Sequence, residues 1–117
     1  MRYGCLIYVD EARVDALPED EREHLRAESR AYEDELRRGG HLVVAEDLAS
    51  ARTATTLRMR DGRMVTSDGP AAETPVQLGG LFILEARDLN EALRLAARVP
   101  AGRFGGVEVR PIRSLTQ

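Results

Sequence analysis

The chain has 117 residues, of which 32% are charged and 43% hydrophobic, and its formal net charge is −3. This length predicts one domain over residues 1–117, and the composition is that of a folded globular protein. Arginines alternate with acidic residues and aromatic residues make up only 4% of the chain, which argues against nucleic-acid binding. The single cysteine, Cys5, excludes an intrachain disulfide and a metal centre built from cysteines.

The first apolar segment of the chain covers residues 3–9. It is too short for the core and cleavage site of a signal peptide, and far too short to span a bilayer. We therefore expect a cytoplasmic protein without a membrane partner.

The first half of the chain predicts a strand, a helix and a second strand. Residues 3–9 are β-branched, aromatic and apolar, as in a strand buried on both faces. A helix is predicted over 18–38, because a proline and three acidic residues begin it and two glycines follow it. Residues 41–48 form the second predicted strand.

The second half predicts a hairpin, a loop, a strand, a helix and a last strand. The hairpin turns at Asp61 and Gly62, a pair typical of two-residue turns. Asp88 precedes Glu91 by three residues, which is the spacing of a helix cap. In chain order these elements occupy residues 53–66, 67–79, 80–86, 88–99 and 107–112.

This order predicts an α+β fold of the ferredoxin-like β-α-β-β-α-β plan with an added hairpin. Two helices can cover only one face of such a sheet. The first strand nevertheless carries apolar side chains on both faces, with Cys5 and Ile7 on one and Leu6 and Tyr8 on the other. An open apolar face of this size is rarely left in water, so we expect a homodimer packed sheet to sheet.

Four segments of the chain resemble those of one family. They are MRYGCLIYVDE at the N-terminus, TATTLRMRDGRMVTSDGPAAETPVQLGG in the middle, and LNEALRLAARVP and VEVRPI towards the C-terminus. Together they resemble the YCII-related, or DGPF-domain, family over nearly the whole chain. The resemblance implies a dimeric α/β barrel with a cleft between sheet and loops.

The resemblance implies less about activity. Some relatives are encoded beside sigma factors, and a minority are cofactor-free enzymes on cyclic oxo-compounds, such as dehydrochlorinases, which are thought to use a His and an Asp. This sequence has Ala71 where the family has Phe and Pro75 where it has Lys. Its helical histidine, His24, lies about one turn before the position near Glu28 that relatives use, so a catalytic dyad does not carry over directly.

Three residues are candidates for proton transfer. Asp68 opens the DGP turn and is either a general base in the pocket or a cap for the turn itself. His41 and His24 carry imidazoles suited to moving protons near neutral pH. The alternatives are a strand-edge position for His41 and a solvated helix position for His24.

Four residues are candidates for substrate binding. Arg58 and Arg110 lie mid-strand, where a guanidinium either clamps an anionic oxygen or pairs with Glu108 or Glu73. Glu73 is therefore a partner of these arginines or a substrate-binding residue itself. Tyr8 offers a pocket hydroxyl or packs in the core or an interface. No spacing indicates a phosphate loop or a metal site.

Two functions of different classes follow from this sequence. The first is a small cofactor-independent lyase or isomerase acting on a cyclic oxo- or hydroxy-metabolite, with Asp68 or a histidine moving the proton. The second is a non-catalytic module that binds a metabolite or a regulator such as a sigma factor. The substitutions at Ala71 and Pro75 favour the second function, or a pocket reshaped for a bulkier substrate.

Overall fold

A computed structural model describes residues 1–114 of the chain. Two short 3₁₀ turns, Ala51–Thr53 and Pro100–Phe104, join longer elements. Those elements are β1 (Arg2–Asp10), α1 (Glu11–Asp15), α2 (Glu19–Arg38), β2 (Leu42–Asp47), β3 (Thr55–Arg60), β4 (Arg63–Asp68), β5 (Val76–Glu85), α3 (Leu89–Ala96) and β6 (Gly105–Pro111). No helix in this part of the chain is long and apolar enough to cross a membrane.

Four strands form the main sheet in the order β2-β5-β1-β6, and all neighbours are antiparallel. This arrangement confirms the α+β class and is compatible with the ferredoxin-like plan. Strands β3 and β4 pair only with each other, as the added hairpin. The predicted loop over 67–79 is shorter than expected, because β5 begins at Val76 and pairs with Asp10 beyond a bulge.

The core lies between one face of the sheet and the two longer helices. On β1, alternate residues Cys5 and Ile7 are buried, and on β5 the alternate residues Phe82 and Leu84 are buried beside them. The helices and the segment after α3 contribute Tyr32, Leu36, Ala96 and Val99. Burial raises the pKa of the Cys5 thiol to about 11, so this cysteine stays protonated and is no nucleophile at neutral pH.

Helix α2 is held to α3 by one aromatic residue. The Tyr32 hydroxyl donates to the Leu95 carbonyl oxygen at 2.5 Å. The Arg98 guanidinium stacks over the Tyr32 ring at 4.7 Å and pairs with the Glu35 carboxylate. These contacts close the helix side of the core and leave the opposite face of the sheet without a helix.

The opposite face of the sheet, here called the open face, has an apolar centre. Across it, Leu81 of β5 pairs with Leu6 of β1, and the residues beyond them are Glu46 of β2 and Glu108 of β6. Further half-buried apolar residues on this face are Tyr8, Val44, Leu78 and Ile83. The apolar centre is therefore bordered by carboxylates at both edges of the sheet.

The hairpin of β3 and β4 extends from a flat molecule. The chain measures 48 × 47 × 18 Å, and its radius of gyration of 16.1 Å exceeds the value of about 13 Å for a compact domain of similar length. Three hairpin side chains on one face are more than half exposed: Leu57, Met59 and Met64. A two-stranded hairpin is marginally stable alone in water, and within one chain this apolar face is left uncovered.

Candidate functional site

A cavity of about 570 Å³ lies at one end of the open face. Tyr8 and Leu78 form its floor. Residues between 48 and 56, without Arg52 and Thr55, form one wall, and residues between 70 and 77, without Glu73 and Pro75, form the other. This volume is within the range of small-molecule sites in proteins. Its wall residues are apolar or neutral, and among the described residues no Asp, Glu, His or Arg side chain lines it.

The first wall is tied to α1 by Glu11. The Glu11 carboxylate accepts hydrogen bonds from the Ser50 hydroxyl and from the Ala51 backbone N–H, both at 2.7 Å. These bonds lower the pKa of Glu11, the Ala51 bond more than the Ser50 bond, so the carboxylate is ionised at neutral pH. Glu11 thus positions this wall from outside the cavity.

Sequence reasoning missed both α1 and the role of Glu11. The available signal was Asp10, whose carboxylate accepts from the Ala12 backbone N–H at 3.1 Å and caps a helix of five residues. From the sequence, a strand is predicted over residues 3–9 and the next helix only from residue 18, so this helix is left out of the prediction. Nothing local to Glu11 indicates its contacts, because Ser50 and Ala51 lie about forty positions further along the chain.

The second wall begins at the DGP turn, which is tied to the hairpin. Gly69 has a φ of 105°, a left-handed conformation that glycine adopts readily. Its N–H donates to the Ala54 carbonyl oxygen at 2.7 Å, and its own carbonyl accepts from the Thr56 hydroxyl at 2.7 Å. Arg58 donates to the Ala71 carbonyl oxygen at 2.8 Å, so this guanidinium supports the wall.

Gln77 closes the second wall, and it is not among the candidate residues that the sequence predicts. Its side-chain N–H₂ donates to the Ala72 carbonyl at 2.5 Å and to the Thr74 carbonyl at 2.8 Å. The Thr74 hydroxyl in turn donates to the Val76 carbonyl at 2.7 Å. These bonds fold residues 72–77 into a compact turn, which a glutamine two positions after a proline does not predict.

Asp68 lies beside the cavity but on the other face of the hairpin. It pairs with Thr55, whereas the neighbouring Thr56 lines the cavity, and successive strand residues point to opposite faces. Within residues 1–114 its carboxylate accepts no hydrogen bond, so it does not cap the DGP turn. Glu73 is exposed on the loop and does not line the cavity.

The two histidines lie away from the cavity and from each other. His41 Nδ1 is 2.9 Å from the Glu85 carbonyl oxygen, at the end of β5 that is about 23 Å along the strand from Leu78. His24 lies on α2 in a separate depression that Phe104 also lines. Within one chain, therefore, neither histidine forms a dyad with Asp68.

Arg110 lies on the open face and pairs with the Glu108 carboxylate. The Glu108 carboxylate raises the pKa of Arg110, and the Tyr8 hydroxyl adds a smaller electrostatic contribution in the same direction, so the guanidinium reaches towards Tyr8 although Arg110 does not line the cavity. Of the four predicted substrate-binding residues, the cavity thus contains Tyr8, while Arg58 supports its wall. Within the described part of the chain no group of three or more His, Cys, Asp or Glu residues could hold a metal ion.

Comparison with known proteins gives the family. The model of the YCII-related domain matches residues 1–116. The chain belongs to the YCII-related family. An uncharacterized protein of Rhizobium meliloti (strain 1021) is 32% identical to this YCII-related protein over 114 residues, which cover 96% of this chain and 92% of that protein. The resemblance inferred from the DGP and VEVRP segments is therefore confirmed.

Proposed function

We propose that this YCII-related protein binds a small, uncharged cyclic metabolite in the cavity between the DGP loop and the open face. The observation that carries the proposal is a cavity of about 570 Å³ whose described lining contains no charged side chain. A charged ligand would lose its hydration there without gaining an ionic partner, which is costly. A ring of six to ten heavy atoms fits both the volume and the apolar walls.

Ala71 lines this cavity in the wall that begins at the DGP turn. The resemblance to the family's DGPF signature implies Phe at this position, whereas Ala71, which lines the cavity, has only a methyl group there. Leu48, Val76 and Leu78 supply apolar contact around that space. An alanine in place of the Phe therefore leaves more of the cavity volume available to a ligand.

The functional unit in this proposal is a homodimer. The open face has apolar Leu6 and Leu81 at its centre and carboxylates at its edges, which is the anatomy of an interface with an apolar core and a polar rim. The hairpin adds a second uncovered apolar surface. A second copy packed on the open face covers the apolar centre of that face and places protein next to the apolar face of the hairpin. A sigma factor as partner stays a prediction.

Filling the cavity is expected to abolish ligand uptake. The change Ala71→Phe places a ring where the metabolite would bind, whereas Ala27→Phe adds the same ring at an exposed position of α2. We expect cyclohexanol to shift the amide resonances of Tyr8, Thr56 and Gln77 in ¹H–¹⁵N spectra of the wild type and of Ala27→Phe. In Ala71→Phe the apparent affinity should fall by at least about tenfold.

Benzoate, an anion of similar size, should leave these resonances unchanged because the cavity has no cation to pair with it. If cyclohexanol shifts none of the three amide resonances of the wild type, the proposal is wrong. Shifts of equal size in Ala71→Phe would also contradict it.

A cofactor-independent lyase or isomerase acting on a cyclic oxo- or hydroxy-compound is the second candidate function. The observation that favours it is the Asp68 carboxylate, which is exposed and accepts no hydrogen bond from the described residues. A general base needs such a free carboxylate. Since Asp68 faces away from the cavity of its own chain, catalysis would require it to meet a molecule bound elsewhere, such as at the junction of two copies.

The catalytic candidate predicts hydrogen exchange at carbon. We expect a base of this kind to accelerate exchange of the α-hydrogens of 2-hydroxycyclohexanone in D₂O, measured by ¹H NMR. Asp68→Asn should then slow the exchange by about 100-fold or more, while Asp34→Asn, an exposed change on α2, leaves it unchanged. A wild-type rate equal to that of buffer, or equal rates in both variants, would remove this candidate.

A further inference from the structure

The hydrogens of the cavity's polar side chains are directed almost entirely into the protein. Four hydroxyls line the cavity besides that of Tyr8: those of Ser50, Thr53, Thr56 and Thr74. Each donates to a carbonyl or carboxylate oxygen at 2.6–2.7 Å. Since such oxygens cannot donate, the hydroxyl hydrogen must occupy each bond.

The Gln77 side chain also directs its hydrogens into the protein. Its N–H₂ faces two carbonyl oxygens, those of Ala72 and Thr74, at 2.5 and 2.8 Å. Flipping the amide would place its own oxygen against both carbonyl oxygens, and acceptor atoms cannot bond to one another. The N–H₂ group must therefore be the one that faces the two carbonyls. The remaining polar atom of this side chain is Oε1, which can only accept and has no partner among the described residues.

The side-chain polar atoms available to a ligand are therefore acceptors. They are the lone pairs of the hydroxyl oxygens and the amide oxygen of Gln77. The exception is Tyr8, whose hydroxyl hydrogen has no acceptor among residues 1–114. Arg58 does not alter this balance, because it donates to Ala71 and Ser67 and is absent from the lining.

We infer that the cavity selects ligands that donate hydrogen bonds: neutral rings carrying hydroxyl or N–H groups, rather than rings whose polar atoms are only carbonyl or ether oxygens. This inference rests on the proposed function, since it assigns a chemical class to the ligand of that cavity. A carbonyl or ether oxygen held against these side chains would face acceptor atoms, with the Tyr8 hydroxyl as the one side-chain donor among the described lining residues. The other donors of the described lining are backbone N–H groups of the loops, such as those of Ala49, Ala71 and Ala72. A hydroxyl hydrogen would gain a partner on either wall.

Cyclohexanol and cyclohexanone test the inference, because they match in size and differ in one hydroxyl hydrogen. Titrated into the wild-type protein and followed by ¹H–¹⁵N spectra, cyclohexanol should bind at least about five times more tightly. Equal affinities, or tighter binding of cyclohexanone, would overturn the inference while leaving the cavity as the binding site. An absence of cavity shifts with both probes would instead overturn the proposed function.

Tyr8→Phe tests which group recognises the ligand: the tyrosine hydroxyl, or the acceptor atoms of the other lining side chains, here called the acceptor wall. The change removes the one described side-chain hydrogen that could serve an acceptor ligand, and the ring stays in place. We expect cyclohexanone to bind still more weakly to this variant, and the preference for cyclohexanol to persist or increase. A preference that disappears in Tyr8→Phe would assign recognition to Tyr8 and overturn the role of the acceptor wall.

Discussion

Replacing Gly105 by Ala is expected to cost about 3 kcal/mol of folding free energy, the upper end of the usual cost of overpacking. Gly105 begins β6 beside Val9 of β1, and an added Cβ would overlap the Tyr8 carbonyl oxygen and lie 3.1 Å from the Val9 Cα. Both neighbours are backbone atoms, so no side-chain rotation relieves the overlap. Because small domains have only about 5–15 kcal/mol of total stability, a loss of this size is a large fraction of the free energy of unfolding.

Gly106→Ala is the matched control for this prediction. A Cβ at Gly106 has no neighbouring atom within 4 Å, so its free energy of unfolding should stay within about 0.5 kcal/mol of the wild type. Urea denaturation followed by far-ultraviolet circular dichroism measures both variants. Equal urea midpoints for Gly105→Ala and Gly106→Ala would show that the close approach of β6 to β1 is wrong.

Leu81→Arg is expected to convert a dimer into a monomer. Leu81 stands beside Leu6 at the apolar centre of the open face, where sheet-to-sheet packing would bury its side chain. Two copies would place two guanidinium groups in the buried interface, and an unpaired buried charge costs several kcal/mol. Light scattering should give the wild type twice the 13.0 kDa mass of one chain and the variant a single chain mass.

Leu93→Arg provides the control, since Leu93 lies on α3 and is already 46% exposed. It adds the same charge on the helix side of the sheet, and the variant should remain dimeric. A wild-type mass of one chain at micromolar concentration would contradict the dimer. A dimer that persists in Leu81→Arg would place the interface elsewhere than on the open face.

Local patterns in the sequence were sufficient for the elements and for the class of fold. The predicted cap at Asp88 is present, with its carboxylate accepting from the Glu91 N–H at 2.9 Å, and α2 ends before Gly39 as its two glycines predict. The hairpin turns at Asp61 and Gly62, where both φ angles are positive. These features depend on residues within four positions of one another, so their energetics are contained in a short segment.

The set of residues that lines the cavity depends on contacts between distant parts of the chain. Glu11 reaches Ser50 across 39 positions, and no local pattern specifies that contact. Asp68 was selected from its motif, but the register of the hairpin decides its face, because pairing with Thr55 turns it away from the cavity. One step of register would reverse this orientation.

The sequence by itself determined the strands, the longer helices, the α+β class and the resemblance to the YCII-related family, which depend on short-range periodicity and short motifs. The tertiary structure alone decided which predicted residues meet. Tyr8 joins the cavity, while His41 is fixed to Glu85 at the other end of the sheet and His24 lies on the helix side. The physical reason is that strand pairing and helix packing determine the distances between side chains that are remote in sequence.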